Sequence, residues 1–350
     1  MPGYHSPQLD VAVRLNTNES PEPPPPAFFG ELAEAAGSLQ ANRYPDRQAT
    51  ELRQAISEHH GVQPDQVFCA NGSNEVLQCL FLAYGGPGRA ALVFEPTYAL
   101  HSHIARLTGT GVVRGERTAA FAVDGDLAKE LLSASAAQLG EREPSITLLC
   151  SPNNPTGNSE TRSTVEDLAG AVPGLLVVDE AYGQFSSWSA IDLVRGGDPA
   201  VAVVRTFSKT WAMAALRLGY LVTTSEVVKA CSAVSLPYHL DAFKQQAGTL
   251  ALRHEPEMRA RVARLVEQRG RLLSALFDLS VEAWPSDANF VLFRVPGCTA
   301  GEVWQRLVDQ SVLVRDVSGW PRLEGCLRVT VGTAEENGRF LEALGRVLRP

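Results

Sequence analysis

The chain has 350 residues, of which 45% are hydrophobic and 20% are charged, and its formal net charge is −8. This length and composition are typical of a globular protein with a large core and room for a second, smaller unit. The negative charge and the lack of a Lys/Arg-rich run argue against nucleic acid as the main partner.

The sequence shows no targeting, membrane or metal signal. The N-terminus lacks a basic stretch followed by an apolar one, and no apolar run approaches the roughly 18–20 residues that span a bilayer. The six cysteines are scattered without a Cys-x-x-Cys pair, and the histidine spacing does not suit a metal. We therefore expect a cytoplasmic protein with reduced cysteines, no membrane partner and no metal site.

The predicted elements begin with an extended, proline-rich segment at residues 21–26, within the N-terminal arm. From about residue 46, short apolar runs alternate with helical patterns, which predicts a mostly parallel sheet covered on both faces. Helices are predicted at residues 48–60, 74–84, 97–107 and 164–171. Strands are predicted at residues 66–70, 90–94, 111–113, 145–150, 175–179, 200–206 and 216–222.

After about residue 245 the pattern changes to an α+β unit. A long charged helix is predicted at residues 255–279, then strands at 289–294, 312–315 and 326–331, and a final helix at 334–348. The prediction is an α/β fold in which residues 46–245 form a large domain. Residues 246–350 form a small C-terminal domain, which the arm at residues 1–45 joins.

Ligands bind outside the carboxyl ends of the strands in open parallel sheets, and four polar groups follow predicted strands here. Residues 71–75 read NGSNE, a glycine turn that can present Ser73 and Asn74 to a phosphate, although an ordinary helix cap is the alternative. Residues 151–157 read SPNNPTG, a tight loop that could direct asparagine amides into a cleft.

The third group contains a carboxylate and a phenol. Asp179 ends a fully apolar strand, where a carboxylate is costly unless it meets a cation. A structural ion pair or a helix cap is the alternative for this residue. Tyr182 follows three residues later and can face the same space.

The fourth group centres on Lys209, one of only four lysines in the chain. It follows an apolar strand, and an amine there can form a Schiff base once burial lowers its pKa. Thr206, Ser208 and Arg217 add anion-binding donors beside it.

Together, these groups match the chemistry of pyridoxal 5′-phosphate. Lys209 would hold the aldehyde, and Asp179 would keep the pyridine nitrogen protonated. Asn154 and Tyr182 would hydrogen-bond the ring 3′-oxygen. The predicted phosphate ligands are Ser73, Asn74, Thr206, Ser208 and Arg217.

The same residues carry a family resemblance. The chain resembles the fold-type I pyridoxal-phosphate aminotransferases, and within them the histidinol-phosphate branch, from about residue 15 to 340. The matching segments include residues 15–21 (LNTNESP), 42–46 (NRYPD), 71–75 (NGSNE), 151–157 (SPNNPTG), 178–182 (VDEAY), 207–209 (FSK) and 236–240 (LPYHL).

The resemblance implies further roles. Tyr98 would stack on the pyridine ring, and Tyr44 would reach the phosphate of the neighbouring subunit's cofactor, which makes the active unit a homodimer. Arg328 would bind the acidic group of the substrate, and Arg315 would help to hold a substrate phosphate. Without the resemblance, Arg315 is expected to be a surface ion-pair partner of Asp316.

The implied reaction converts histidinol phosphate and 2-oxoglutarate to imidazole-acetol phosphate and glutamate. An aromatic amino acid aminotransferase would share every cofactor residue, and a threonine-phosphate-type decarboxylase would share the fold. A transcription regulator would need a helix-turn-helix module and a basic face, which the sequence lacks. The chain departs from the family pattern at residues 210–215 and at Asp241, Phe243 and Lys244, which bears on the identity of the amine.

Overall fold

The computed structural model describes residues 7–138 and 144–349, which form two sheets flanked by helices. The larger sheet has seven strands, and all of them run parallel except β8, which is antiparallel to both of its neighbours. In spatial order they are β2 (Val67–Ala70), β8 (Gly219–Val222), β7 (Val201–Thr206), β6 (Leu175–Asp179), β5 (Ile146–Cys150), β3 (Ala90–Glu95) and β4 (Gly111–Glu116). The predicted α/β class with a mostly parallel sheet is confirmed.

The smaller sheet joins the two ends of the chain. Its strands, in spatial order, are β1 (Val13–Leu15), β11 (Val312–Asp316), β12 (Cys326–Thr330), β10 (Phe290–Arg294) and β9 (Glu282–Ala283). β1 pairs in parallel with β11, so the segment after β1 begins beside this sheet. The other pairs are antiparallel.

Helices cover both sheets. Those before β8 are α1 (Pro26–Ser38), α2 (Thr50–His60), α3 (Ser73–Tyr84), α4 (Leu100–Leu107), α5 (Gly125–Gln138), α6 (Arg162–Ala171) and α7 (Ile191–Arg195). Those after it are α8 (Ser225–Val234), α9 (Ala242–Arg253), α10 (Glu255–Asp278), α11 (Ala300–Val308) and α12 (Ala334–Val347). The prediction missed α1, α5, α7, α8, α9 and α11, and α1 begins inside the segment predicted to be extended.

The central strands are mostly apolar because helices cover both of their faces. Along β7, Val201 and Val203 pack into the core on one face, whereas Ala202 and Val204 pack into the core on the other. This alternation follows from the two-residue period of a strand. Within the described residues, no helix combines the length and apolar character needed to cross a membrane.

Gly219, the first residue of β8, lies directly against the turn that precedes α3. A Cβ at this position would lie 2.3 Å from the backbone nitrogen of Ser73 and 2.5 Å from the carbonyl carbon of Gly72. A glycine inside a strand often marks such a close backbone approach. The approach brings the start of α3 beside the ends of β7 and β8.

We expect Gly219→Ala to lower the melting temperature, because the added methyl group must displace backbone and overpacking of this kind costs about 1–3 kcal/mol. The matched control is Gly30→Ala on α1, where an added Cβ has nothing within 4 Å. That change should raise the melting temperature, since alanine is favoured over glycine in a helix by about 1 kcal/mol. Thermal unfolding followed by circular dichroism measures both, and shifts of the same sign would contradict the prediction.

Candidate active site

A cleft opens where the carboxyl ends of β5, β6 and β7 face β12 and the segment after β1. It is lined by Thr17, Asn18, Ser73, Asn74, Tyr98, Cys150, Asn154, Asp179, Ala181, Tyr182, Thr206, Ser208, Lys209, Arg217 and Arg328. The structure therefore brings together all of the predicted site residues except Tyr44 and Arg315. Thr17 and Asn18 were not predicted as site residues, although they lie within the matching segment 15–21.

Lys209 lies three residues beyond the end of β7, with its amine inside the cleft. Its Nζ donates to the carbonyl of Thr17 at 3.0 Å and lies 5.8 Å from the centre of the Tyr182 ring. Burial lowers the pKa of this amine to about 7, and the positive charges of Arg328 and Arg217 act in the same direction. The amine is therefore largely neutral, and hence nucleophilic, slightly above neutral pH.

The turn before α3 forms an anion cradle. Gly72 adopts a left-handed φ of 83°, and α3 begins at Ser73, so the first N–H groups of the helix face the cleft. Arg217 lies so close that a Cβ on Gly72 would come within 2.8 Å of its guanidinium. Arg217 also donates to the Ser208 hydroxyl at 3.4 Å. The sequence predicted Arg217 inside a strand, but it lies in a left-handed turn just before β8.

Asp179 ends β6 in a buried position and is held from two sides. Nε2 of His101 lies 2.9 Å from one carboxylate oxygen, and the backbone N–H of Ala181 donates to the other at 3.0 Å. The Tyr98 ring packs edge-on against His101, with 5.5 Å between the ring centres. In the sequence the histidines were considered only as possible metal ligands, so His101 was not predicted as a site residue. Its three-residue spacing from Tyr98, which places both on one face of a helical turn, is the signal that could have identified it.

The other polar groups of the cleft form a network around Arg328. This buried arginine donates to the side-chain oxygen of Asn154 and, at 2.8 Å, to the carbonyl of Asn16. The Tyr182 hydroxyl lies 2.8 Å from the side-chain nitrogen of Asn18, and burial raises the pKa of Tyr182. Arg328 and Asn154 therefore share a contact that sequence reasoning did not predict.

The two predicted residues outside the cleft lie in different surroundings. Arg315 on β11 pairs directly with Arg328 on β12, and only 8% of its surface is exposed. The expectation that Arg315 lies on the surface is wrong, because Arg315 is buried, whereas Asp316 is exposed. Tyr44 is 81% exposed and stacks on Tyr238, with 4.5 Å between the ring centres.

The chain matches a known family. Residues 10–344 match the family model described as aminotransferase class I and II. The chain therefore belongs to this family of transaminases, whose cofactor is pyridoxal 5′-phosphate.

Two relatives narrow the assignment to one branch of that family. The chain is 49% identical to the histidinol-phosphate aminotransferase of Thermobifida fusca, over 97% of this chain and 91% of the relative. It is 42% identical to the enzyme of that name from Mycobacterium marinum, over 98% and 89%. At these identities it belongs with the histidinol-phosphate aminotransferases.

A solved structure shares the fold. The histidinol-phosphate aminotransferase of Sinorhizobium meliloti, in complex with pyridoxal 5′-phosphate, superposes with a TM-score of 0.86 at 24% identity. The match covers 97% of this chain and 91% of the other. At this identity the likeness shows that the two chains share a fold.

The residues of the cleft fit the family's cofactor. The cradle at Gly72 accepts only a residue without a side chain and gathers neutral and positive donors, as a phosphate requires. Asp179 supplies a buried carboxylate for a ring nitrogen, and Lys209 supplies an amine for an aldehyde. In the described parts of the chain there is no cluster of three or more acidic, histidine or cysteine residues that could hold a metal.

We expect Lys209 of the cofactor-free protein to react with an amine reagent with a midpoint near pH 7, because burial and two arginines favour its neutral form. Peptide mapping by mass spectrometry after labelling at a series of pH values measures this. Lys229, exposed on α8, is the internal reference for the reagent.

The Arg328→Leu variant separates the effect of burial on the pKa of Lys209 from the effect of the arginine charge. Removing this charge should raise the midpoint for Lys209, since a nearby positive charge lowers the pKa of an amine. A midpoint near pH 10 in the unmodified chain would show that the Lys209 amine is not desolvated.

Proposed function

We propose that this transaminase takes the amino group of histidinol phosphate and passes it to 2-oxoglutarate. The products are imidazole-acetol phosphate and glutamate, and the reaction belongs to histidine biosynthesis. The observation that carries the choice of substrate is the direct pairing of Arg315 with Arg328. Identity of 49% to a histidinol-phosphate aminotransferase supports it.

The pairing sets two guanidinium groups on one face of the small sheet. Residues directly opposite each other in an antiparallel pair project their side chains to the same side. Arg328 lines the cleft, so Arg315 is directed to the same side of the sheet. Guanidinium groups bind phosphates and carboxylates through paired hydrogen bonds, so one arginine can hold the acidic group of each substrate while the other strengthens the grip on a phosphate.

In the catalytic cycle Lys209 has two tasks. It would carry the cofactor in the resting enzyme and would be released when the amino donor binds. Its Nζ, whose pKa burial lowers to about 7, would then take the proton from the carbon that bears the substrate's amino group and pass it to the carbon on the cofactor side of that nitrogen. The bound cofactor supplies a ring that accepts the electron pair left on that carbon.

The other residues hold the cofactor in place. Asp179, fixed by His101, keeps a proton on the ring nitrogen. Asn154 and Tyr182 hydrogen-bond the ring 3′-oxygen, and Tyr98 stacks on the ring. Ser73, Asn74, Thr206, Ser208 and Arg217 bind the phosphate.

The active unit is a homodimer in which Tyr44 serves the neighbouring site. Support comes from its position, because Tyr44 is outside the cleft of its own chain, and the exposed Tyr238 and Leu236 make its surroundings apolar. Exposed apolar patches of this kind mark protein interfaces.

Residues 46–245 form the large domain, residues 246–350 form the small one, and the arm at 1–45 joins the latter. The protein acts in the cytoplasm.

Arg315→Ala should lower kcat/KM for histidinol phosphate by about 10- to 100-fold, because a hydrogen bond to a charged group contributes roughly 1.5–3 kcal/mol. Turnover of phenylalanine and tyrosine, each with 2-oxoglutarate, should change little. Arg346→Ala, on the exposed face of α12, is the matched control. Steady-state kinetics with all three amines measures the difference.

Two results would contradict this assignment. If the unmodified chain prefers the aromatic amino acids by tenfold or more, it is an aromatic aminotransferase. If Arg315→Ala weakens all three amines equally, Arg315 does not select for phosphate. Release of carbon dioxide from a phosphorylated amino acid would identify a decarboxylase instead.

Mixing two inactive variants tests the role of Tyr44. Lys209→Ala lacks the amine, and Tyr44→Ala should bind the cofactor weakly. A mixed dimer contains one intact site, made from Lys209 of one chain and Tyr44 of the other, so activity should return on mixing after brief dissociation. Failure to regain activity, with mixed dimers verified by mass spectrometry, would place Tyr44 outside the partner's site.

A further inference from the structure

Asn18 uses both ends of its side-chain amide inside the cleft. It is 1% exposed and adopts a left-handed φ of 54°, which asparagine tolerates better than most residues. Its Nδ2 lies 2.8 Å from the Tyr182 hydroxyl, and its Oδ1 lies 3.1 Å from the hydroxyl of Thr330. The carbonyl of Asn18 accepts from Asn289 at 3.1 Å, so the backbone here is fixed as well.

Thr330 determines which way the amide points. The backbone N–H of Asn18 donates to Thr330 Oγ1 at 3.0 Å, so that oxygen already accepts one hydrogen bond. The single hydroxyl hydrogen of Thr330 is then free to donate, and Asn18 Oδ1 is its partner. In the structure the amide oxygen faces Thr330, and the end that faces Tyr182 is the NH₂ group, which donates.

This arrangement fixes the direction of the hydrogen bond at Tyr182. Its hydroxyl oxygen accepts from Asn18 Nδ2, so its own hydrogen does not point to Asn18 and is available to a group bound in the cleft that Tyr182 lines. We infer that Asn18 is a positioning residue that makes Tyr182 a donor toward the 3′-oxygen of the bound cofactor. This inference rests on the role proposed above for Tyr182.

The contact also ties Tyr182 to the strand that binds the substrate. Thr330 lies two residues after Arg328 on β12, so both side chains project from the same face. Arg328 in turn donates to the carbonyl of Asn16, two residues before Asn18. The direction of the Tyr182 hydroxyl is therefore set by the arm and by β12, not by the loop that carries Tyr182.

The test is an absorbance titration of the holoenzyme, in which the visible band of the Lys209–cofactor linkage reports its pKa. A donor to the ring oxygen draws off negative charge and weakens that oxygen's hold on the linkage proton. Asn18→Gly keeps the left-handed backbone and removes the amide. It should raise the apparent pKa by about 0.5–1 unit, the size expected for one hydrogen bond.

The background variant Tyr182→Phe makes the test specific. On its own it should raise the apparent pKa, and adding Asn18→Gly should then cause no further shift, because the two residues act through one hydrogen bond. Thr330→Val, which removes only the hydroxyl that orients the amide, should shift the pKa in the same direction by less. Melting temperatures of all variants check that they fold.

The outcomes separate the inference from the assignment beneath it. An unchanged pKa in Asn18→Gly, with a shift in Tyr182→Phe, overturns the role of Asn18 alone. The same shift for Asn18→Gly in both backgrounds overturns it too, since the effect then bypasses Tyr182. No shift in Tyr182→Phe would instead refute the proposed contact between Tyr182 and the cofactor, and the role of Asn18 with it.

Discussion

The active site depends on keeping one amine out of water. Lys209 is desolvated just beyond a fully buried strand, and with the positive charges of Arg328 and Arg217 this lowers the pKa of its amine despite the opposing charge of Glu19. A neutral amine still needs a hydrogen-bond acceptor when it is buried, and the Thr17 carbonyl provides one without adding charge. An acidic partner in that place would have raised the pKa of the amine and removed its nucleophilicity at neutral pH.

Each residue of the segment from Asn16 to Asn18 contacts a different group in the cleft. Asn16 accepts from Arg328, Thr17 accepts from Lys209, and Asn18 donates to Tyr182. Successive residues thus contact the Arg328 guanidinium, the Lys209 amine and the Tyr182 phenol. Because β1 pairs with β11 of the small sheet, a displacement of that sheet would move the contacts to all three groups.

Local sequence patterns were enough to predict the positions of some residues that line the cleft. Asp179 and Lys209 follow apolar strands, and the glycine turn at residue 72 opens a helix, so their positions at one edge of a parallel sheet could be predicted. Asn18 could not, because its contact with Tyr182 joins residues 164 positions apart and the residue does not stand out locally. His101 contacts Asp179, 78 positions away, and its spacing from Tyr98 was the only local signal of a role. The missed helix α9 has only a weak amphipathic pattern, and α1 follows directly on prolines that suggested extended chain.

The remaining question of substrate is one of charge matching. A carboxylate carries one negative charge, whereas a phosphate monoester carries about 1.5 to 2 at neutral pH and has three strong acceptor oxygens. Arg328 alone suits a carboxylate, and its contacts to Asn154 and Asn16 are to neutral oxygens, which leave its charge in place. A second guanidinium opposite it on β11 adds little for a carboxylate that is already bound, but supplies the further charge and donors that a phosphate can use. The register of two short strands therefore favours a phosphorylated amine over an aromatic amino acid.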